Sequence, residues 1–337
     1  MSGGIDSSVT AAILKAQGYE VTGFTMKLWD DRYEDAKRVA IQLGIPHKVI
    51  DLREAFKREV VDYFVSEYSK GRTPNPCVVC NQKIKFGLLL QEAMSIGADF
   101  IATGHYAKVE YEPKLKRYTL KKGKDNEKDQ SYFLAQLSQE SLSKTLLPLG
   151  NYTKTEVRKM AVQMQLKVAK MPESQEICFI QDNDYESFIQ KQTSVLKEGN
   201  IIDKNGEVLG SHKGIVGYTI GQRRGIPPEG GRSEPFYVTG IDLDRNIIKV
   251  GDESDLYSNY LIAERLNWIS INGLDKEIEV ESKVRYRQEG VKSKIVPQGA
   301  NKVLVKFNEP QRAITPGQLA VFYKGNTVIG SGWIMRL

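Results

Sequence analysis

The stretch "MSGGIDSSVTAAILKAQG" (residues 1–18) sets two glycines directly ahead of an apolar pattern with helical spacing. Gly3 and Gly4 have no Cβ, so the backbone can curl tightly and turn its N–H groups toward phosphate oxygens. We predict that a helix follows over residues 8–17 and stops at Gly18. A helix N-terminus adds a dipole that favours an anion. The alternative is an ordinary Gly-Gly turn.

Polar side chains in the same stretch support phosphate binding. Ser7 and Ser8 can cap the helix and donate hydroxyl groups, and Asp6 could hold a magnesium ion that bridges phosphates. The stretch is not a Walker motif, because the required Gly-Lys-Ser/Thr is absent. It therefore predicts a nucleotide-binding turn of another kind.

Strands and helices alternate outward from this turn. We predict strands over 19–29, 47–52 and 99–105, and helices over 34–44, 53–71 and 83–97. Such alternation implies parallel strands with helices on both faces of the sheet. The fold class predicted for residues 1–198 is therefore α/β.

The character of the chain changes after about residue 198. Val, Ile, Tyr, Thr and Gly then recur at short spacing between turn signals, which predicts short strands. We divide this part into a small central β module (199–260) and a C-terminal β-barrel (261–337). The chain has no run of eighteen apolar residues, no signal peptide pattern and three cysteines, so we expect a cytoplasmic protein without a disulfide framework.

Positive charge is gathered in a few places along a chain of net charge +6. The basic segments are 114–128, 221–225 and 283–294. They favour an anionic partner, although each could also be a solvated surface. In "VRYRQ" (284–288), strand alternation would place Arg285 and Arg287 on one face for phosphates, with Tyr286 on the other.

Two of the three cysteines lie in "NPCVVCN" (75–81) and the third is Cys178. A zinc site needs four ligands, and besides the cysteines the chain has three scattered histidines, His47, His105 and His212. A thioredoxin-like pair would open a helix directly after a strand, which this frame does not. Buried inert cysteines are a further alternative.

The predicted positions of Cys80 and Cys178 favour a reactive role over inert burial. Cys80 is predicted to lie just ahead of a helix with Lys83 and Lys85 close by, and both features lower the pKa of a thiol. Cys178 follows a predicted loop (170–176) and reaches Cys80 only through folding. Two reactive thiols beside a nucleotide-binding turn suggest sulfur transfer.

Several sequence motifs of the chain resemble those of known enzyme families. "SGGIDS" is similar to the loop of the N-type ATP pyrophosphatases, which cleave ATP between its α and β phosphates and transfer AMP. "GRTPNPCVVCNQKIKFG", "ATGHYAK", "KDQSYFL", "ICFI", "GYTIGQRRG" and "TPGQLAVFY" follow in the order and spacing of the tRNA-specific 2-thiouridylases. The resemblance covers essentially the whole chain. In that group a strand precedes the loop, so the first strand is expected to be missing here.

This resemblance implies ATP-dependent 2-thiolation of the wobble uridine of tRNA, through adenylation of the C2 oxygen and sulfur transfer from a cysteine persulfide. Cys80 would be the nucleophile and Cys178 the persulfide carrier. Residues implied to bind ATP are Met1, Ser2, Gly3, Gly4, Asp6, Ser7, Ser8, Met26 and Gly104. Residues implied to contact tRNA are Asn75, Pro76, Cys77, His105, Lys128, Asp129, Gln130, Arg285, Tyr286 and Gln318.

The resemblance also implies cofactors and partners. ATP with Mg²⁺, tRNAs for lysine, glutamate and glutamine, and a sulfur donor such as a cysteine desulfurase or a relay protein are expected. Many family members have Asp where this chain has Cys77, so Cys77, Cys80 and Cys178 could instead ligate a 4Fe–4S cluster. Two other functions stay open: a small-molecule ATP-pyrophosphatase ligase and a non-catalytic RNA-binding remnant.

Overall fold

The computed structural model describes residues 1–29, 33–166, 168, 177–180, 184–192, 197–227 and 235–336. The α-helices are α1 (Ile5–Ala16), α2 (Glu34–Leu43), α3 (Arg53–Phe56), α4 (Asp62–Ser69), α5 (Pro76–Val79), α6 (Leu89–Ser95), α7 (Ser131–Leu134), α8 (Gln139–Ser143), α9 (Lys154–Gln163) and α10 (Tyr185–Gln192). Two π-helical segments, Lys57–Val61 and Cys80–Leu88, continue α3 into α4 and α5 into α6. Short 3₁₀ helices are Pro148–Asn151, Ile215–Gly217 and Glu253–Leu256.

Sixteen strands are described. They are β1 (Gly23–Lys27), β2 (His47–Asp51), β3 (Ile101–Ala102), β4 (Ala107–Glu112), β5 (Arg117–Lys122), β6 (Thr145–Leu146), β7 (Gly199–Ile202), β8 (Val208–His212), β9 (Tyr237–Asp242), β10 (Ile247–Gly251), β11 (Tyr257–Trp268), β12 (Ile278–Lys283), β13 (Val291–Pro297), β14 (Lys302–Arg312), β15 (Leu319–Lys324) and β16 (Thr327–Ile334). Among the described residues, no helix has the length and apolar character needed to cross a bilayer.

The N-terminal region is α/β with parallel strand pairs, as predicted. Strand β1 pairs in parallel with β2, and β3 pairs in parallel with β6. Helix α1 buries Ile5, Val9 and Ile13 against Val157 and Ala161 of α9. This packing joins the start of the chain to a helix about 150 residues away and fixes the glycine turn at the edge of the core.

The helix predicted over 83–97 begins seven residues earlier. Asn75 caps it, because its Oδ1 accepts a hydrogen bond from the Val78 N–H (3.4 Å), and Pro76 occupies the first helical position. Both residues are typical of helix starts, and this signal outweighs the loop character of "RTPNPC". Both Cys77 and Cys80 are therefore helical.

The C-terminal region is a closed six-stranded antiparallel barrel, as predicted. The strand order is β11-β14-β13-β12-β15-β16, and pairing of β16 with β11 closes the ring. Its interior is apolar and includes Leu261, Ile295, Val305 and Phe322. The β4–β5 hairpin of the N-terminal half extends the same sheet through the pair Thr327–Lys121. The barrel is thus attached to the α/β region by a shared sheet.

A four-stranded sheet, β8-β7-β10-β9, lies between these regions in sequence and buries Ile201, Val238 and Ile248. Its β-rich character agrees with the central module predicted from the sequence. The boundaries after residues 198 and 260 stay a prediction.

The three regions meet at the loop that leads into α5. The Thr73 hydroxyl donates to the Thr219 hydroxyl of the central module (3.1 Å), and the Thr73 N–H donates to the carbonyl of Pro316 in the barrel (2.9 Å). The Gln318 amide donates to the carbonyls of Thr73 (2.9 Å) and Pro74 (3.2 Å). The position of the cysteine-bearing helix therefore depends on the whole molecule.

Candidate active site

The turn at residues 2–4 has the geometry that the glycines predict. Gly3 adopts a left-handed conformation (φ 78°), and a Cβ there would lie 2.8 Å from the Cβ of Asp35 and 2.9 Å from the Ala36 nitrogen. Only glycine fits so close an approach. Thr25 donates to the carbonyl of Met1 (2.7 Å), which holds the turn beside strand β1. The turn leads directly into the N-terminus of α1.

The two serines do not cap the helix, contrary to the sequence prediction. Helix α1 begins at Ile5, so Ser7 and Ser8 lie inside its first turn, where both hydroxyls donate back to the Gly4 carbonyl (3.1 and 2.8 Å). The N-cap residue of the helix is Gly4, which has no side chain that could accept from the first helical N–H groups. An uncapped helix N-terminus behind a glycine turn leaves backbone donors for an anion such as a phosphate group.

Asp6 is engaged by two residues that the sequence did not indicate. Lys154, at the start of α9, places its Nζ 2.7 and 2.8 Å from the two carboxylate oxygens, and the Tyr106 hydroxyl donates to Oδ1 (2.8 Å). The Lys154 side chain is largely buried. The Asp6 side chain is partly exposed, so this ion pair lies at the edge of the core and places the Lys154 ammonium group beside the first turn of α1. The possible role of Asp6 as a magnesium ligand stays a prediction.

Gly104 is pressed against the same helix. A Cβ at Gly104 would lie 2.8 Å from the Cβ of Asp6 and 2.9 Å from its carbonyl carbon. Met26 is half-buried near the carboxyl end of β1, the end at which parallel sheets bind ligands. The structure thus brings Gly104 to the glycine turn and places Met26 on a strand next to it.

The three thiols gather in one place. Cys80 is buried, whereas Cys77 and Cys178 are open to solvent at their surfaces. The pKa of Cys178 is raised to about 12, mainly by burial and to a smaller extent by the neighbouring thiols of Cys80 and Cys77, while Lys85 opposes the shift. Folding therefore brings Cys178 close enough to both helical cysteines for electrostatic coupling across about a hundred residues of sequence.

The expected lowering of the thiol pKa values is wrong. Burial raises the pKa of both Cys77 and Cys80, and the opposing effect of Lys85 is smaller. The physical reason is that Cys80 lies in the second turn of a helix that starts at Pro76, not at the helix N-terminus. Although Cys77 is exposed to solvent on one side, protein atoms crowd its other sides, and this desolvates the thiolate. Burial therefore favours the protonated thiol at all three cysteines.

An aromatic cluster anchors the segment that carries Cys178. The ring of Phe179 is buried and lies 5.6 Å from Phe56, 5.4 Å from Phe64 and 5.5 Å from Phe188, between ring centroids. Phe179 is held in the core by these rings, while the adjacent Cys178 is exposed. The loop predicted over 170–176 lies outside the described residues.

The described part of the chain contains no preformed group of metal ligands. No three His, Cys, Asp or Glu side chains there come together as a group that could hold a metal ion, and all three cysteines belong to that part. Three cysteine ligands in a common geometry are what a 4Fe–4S site would require. Ligation of a cluster by Cys77, Cys80 and Cys178 stays a prediction, which the Cys77→Ala experiment described below tests.

The segment "VRYRQ" is a turn rather than a strand, so the predicted alternation is wrong. Strand β12 ends at Lys283, and the Gln288 N–H donates to the carbonyl of Arg285 (3.2 Å). The Arg285 guanidinium points inward, donating to the carbonyls of Ile220 (3.2 Å) and Ala313 (2.7 Å) and to the Thr315 hydroxyl. Burial lowers the pKa of Arg285. These inward contacts draw the chain out of the strand direction and join the central module to the barrel.

Tyr286 lies at the surface between the barrel and the α/β region. Its ring centroid is 4.3 Å from that of Phe133, and Lys283 lies over the ring at 5.5 Å. An aromatic pair beside an ammonium group is a surface on which an unpaired base can stack. Arg285 thus has a structural role, and contact of the half-buried Tyr286 with RNA stays a prediction.

The candidate RNA residues at 128–130 differ from one another. Asp129 is buried and accepts hydrogen bonds from the Gly123 N–H (3.1 Å), the Ser131 N–H (3.1 Å) and the Ser131 hydroxyl (2.8 Å). The Gln130 amide oxygen accepts from the Tyr106 N–H (3.0 Å). Asp129 and Gln130 therefore shape the loop from within, and Lys128 is the half-buried residue nearest to solvent.

His105 lies in the loop that follows strand β3 and contacts Thr103 and Phe86. Its Nδ1 is 2.8 Å from the Thr103 hydroxyl oxygen, and its ring is 5.9 Å from that of Phe86. Burial, with a smaller effect of Lys85, holds the pKa of His105 well below its usual value. The imidazole is neutral at physiological pH and can act as a hydrogen-bonding group but not as a cation for RNA phosphates.

Gln318 was expected at the RNA surface, but its amide braces the helix that carries the thiols. We expect Gln318→Ala to lower the single-turnover rate of uridine thiolation about tenfold, because two hydrogen bonds to Thr73 and Pro74 are lost at about 1 kcal/mol each while part of the loop can relax. ATP affinity should not change, since the glycine turn lies elsewhere. Gln298→Ala, at an exposed barrel turn, is the matched control. Equal rates for both variants would contradict the bracing role.

Sequence reasoning missed Lys154, Tyr106 and Phe179. Lys154 follows Thr153 in a capping box with Glu156, so its local pattern signals only a helix start. Its partnership with Asp6 spans 148 positions, and no periodicity carries such information. Phe179 was seen within "ICFI", but a single aromatic residue does not reveal a cluster.

Three family profiles match the chain. A profile described as "tRNA methyl transferase HUP domain" matches residues 1–182, a "tRNA methyl transferase PRC-barrel domain" matches 186–252, and an "Aminomethyltransferase beta-barrel domain" matches 258–334. The first alone covers more than half of the chain. The order of these three units agrees with the order of α/β region, central sheet and barrel described above.

Curated relatives are similar over their full length. The tRNA-specific 2-thiouridylase MnmA of Caldicellulosiruptor saccharolyticus is 50% identical over 352 residues, covering 100% of this chain and 97% of that protein. MnmA 1 of Caldanaerobacter subterraneus subsp. tengcongensis is 52% identical, with 100% and 96% covered. MnmA of Carboxydothermus hydrogenoformans is 47% identical, with the same coverage.

Proposed function

Since this chain belongs to the tRNA-specific 2-thiouridylase family, we propose that it transfers sulfur to the wobble uridine of tRNA through Cys178 and Cys80. The protein is a tRNA sulfurtransferase that uses ATP. The observation that supports the cysteine assignment is the electrostatic coupling of Cys178 to Cys80 and Cys77, although about a hundred residues separate them.

The first step activates the base. The C2 oxygen of uridine is a poor leaving group, so it attacks the α-phosphorus of ATP and pyrophosphate departs. The glycine turn and the uncapped start of α1 would hold the phosphates by backbone N–H groups, and Lys154 would supply positive charge. The product is an adenylated uridine whose C2–O bond breaks readily. Mg²⁺ would enter with ATP as part of the substrate complex.

The second step transfers sulfur. The terminal sulfur of a persulfide on Cys178 attacks C2, a C–S bond forms, and AMP leaves with the oxygen. The Cys80 thiolate then attacks the Cys178 sulfur, which releases 2-thiouridine and leaves a Cys80–Cys178 disulfide. In an alternative order, Cys80 attacks first and releases sulfide, which then attacks C2. A dithiol reductant reopens the disulfide in either case.

Further partners follow from this chemistry. A cysteine desulfurase or a relay protein would reload Cys178, whose surface is accessible. We propose the cytoplasm as the location and the tRNAs for lysine, glutamate and glutamine as substrates. The wobble base suits the site because a base in an anticodon loop unstacks more easily than one in a helix.

The direct test is reconstitution with ATP, unmodified tRNA and a persulfide donor. We expect one AMP and one pyrophosphate for each 2-thiouridine, measured by nucleotide chromatography and by nucleoside mass spectrometry. tRNA affinity should fall steeply with salt, because phosphate contacts release counterions. ATP cleavage driven by a small amine acceptor, with no dependence on tRNA, would favour a small-molecule ligase instead.

Cys77 separates the persulfide mechanism from a cluster mechanism. We expect Cys77→Ala to keep its thiolation rate within about twofold, because a persulfide relay needs only Cys80 and Cys178. Anaerobically purified wild type and Cys77→Ala should both lack stoichiometric iron and inorganic sulfide. Iron in the wild type that disappears in Cys77→Ala, together with loss of activity, would contradict the relay.

A further inference from the structure

The sequence puts two lysines near Cys80, and the structure distinguishes them. Lys83 is exposed, whereas Lys85 is half-buried between Ile84 and Phe86, which are both fully buried. Two buried flanking residues fix the backbone of Lys85 in the core and restrict where its side chain can point. Only one of the two lysines can therefore have a defined position near the thiols.

The helix geometry directs Lys85 toward Cys80. Residues Cys80–Leu88 form a π-helix, in which hydrogen bonds join residues five apart. Cys80 and Lys85 therefore lie one turn apart on the same side of the helix. In an α-helix, neighbours on one face are three or four apart, and Lys85 would turn away. The rare π-helical geometry, frequent at functional sites, thus aligns the ammonium group with the thiol.

The surroundings of Lys85 contain no matching anion in the part of the chain that the structure describes. It forms no ion pair or side-chain hydrogen bond there, and the titratable groups that it influences are the three cysteines, His105 and the Met1 amino group. None of these groups is a carboxylate. A half-buried cation without an anion is costly, so an anionic partner is expected during the reaction.

We propose that Lys85 is a catalytic residue whose ammonium group pairs with the Cys80 thiolate and with the anionic terminal sulfur of the Cys178 persulfide. This inference rests on the proposed function. When Cys80 attacks the Cys178 sulfur, its electron pair forms the disulfide bond and the negative charge passes to the departing sulfur. The same ammonium group then stabilises the thiolate before attack and the sulfur anion after it.

The burial of the thiols explains why such a cation is needed. Burial raises the pKa of Cys80, and Lys85 is the cation that opposes this effect. A protonated thiol is a poor nucleophile, so a cation close to Cys80 is needed to stabilise its thiolate in this buried position. His105 cannot supply it, because burial keeps the imidazole neutral.

The test uses the full chain with Cys77→Ala and Cys178→Ser, so that Cys80 is the only thiol. The rate at which iodoacetamide alkylates Cys80 is measured against pH for this parent protein and for its Lys85→Gln and Lys85→Arg variants. Lys83→Gln is the matched control on the same helix. Lys85→Gln should raise the pKa of Cys80 by about one unit, because an adjacent charge is removed. At pH values below this pKa, the alkylation rate should therefore fall about tenfold. Lys85→Arg should restore the midpoint, and Lys83→Gln should not change it.

An alkylation profile that is the same for Lys85→Gln and Lys83→Gln would overturn the inference. Because alkylation needs neither ATP nor tRNA, this result is independent of the proposed function. In the background with all cysteines present, thiolation by Lys85→Gln should fall at least tenfold with ATP affinity unchanged. If Lys85→Gln shifts the alkylation profile but the wild type thiolates no tRNA, the Lys85–Cys80 pair is supported and the proposed reaction is rejected.

Discussion

Cys178→Ser should lower 2-thiouridine formation by at least about a thousandfold, because a serine hydroxyl cannot carry a transferable sulfur. The substitution replaces a sulfur atom by an oxygen atom at an exposed position, so the fold should be unaffected. Activation of the base does not involve this thiol. Adenylated tRNA, labelled from α-phosphate-labelled ATP, should therefore still form and should accumulate.

Cys80→Ser should cause a loss of similar size at a different step. If the persulfide attacks C2 first, the variant should trap a disulfide between Cys178 and the tRNA sulfur, which dithiothreitol releases. If sulfide is released first, no adduct should form and AMP release should stop. Denaturing gels of labelled tRNA, with and without reductant, distinguish these orders. Normal turnover by either variant would reject the cysteine assignment.

Gly104→Ala should lower kcat/KM for ATP about a hundredfold, because the added methyl group would lie 2.8 Å from the Cβ and 2.9 Å from the carbonyl carbon of Asp6. The backbone of α1 cannot shift without disturbing the Lys154–Asp6 pair behind the glycine turn. A displacement of about 1 Å at a phosphate-binding site can cost two orders of magnitude. ATP binding by calorimetry and steady-state kinetics measure the effect.

Gly273→Ala is the matched control for this prediction. A Cβ at Gly273 meets nothing within 4 Å, and its backbone needs no positive φ. The control should bind ATP as the wild type does, and thermal unfolding should show that both variants are folded. If Gly104→Ala binds ATP normally, the close approach of Gly104 to Asp6 does not belong to the nucleotide site.

Local patterns in the sequence predicted most of the fold class. The glycine turn, the alternation of strands and helices and the short strands of the second half all reflect residues near one another in the chain. Predictions failed where a long-range contact outweighed local pattern. Three inward hydrogen bonds of Arg285 end the strand that "VRYRQ" predicts, and the Asn75 cap with Pro76 starts the cysteine helix early.

The sequence by itself determined that this chain has a glycine turn for phosphates, an α/β region followed by β-rich regions, and thiols in the order of the 2-thiouridylases. Only the tertiary structure decided that Lys154 pairs with Asp6, that Cys178 approaches Cys80, and that Lys85 rather than Lys83 faces the thiols. The spacing of apolar residues indicates which face of a segment is buried, but it does not indicate which distant segment packs against that face. Those pairings depend on how the whole chain packs.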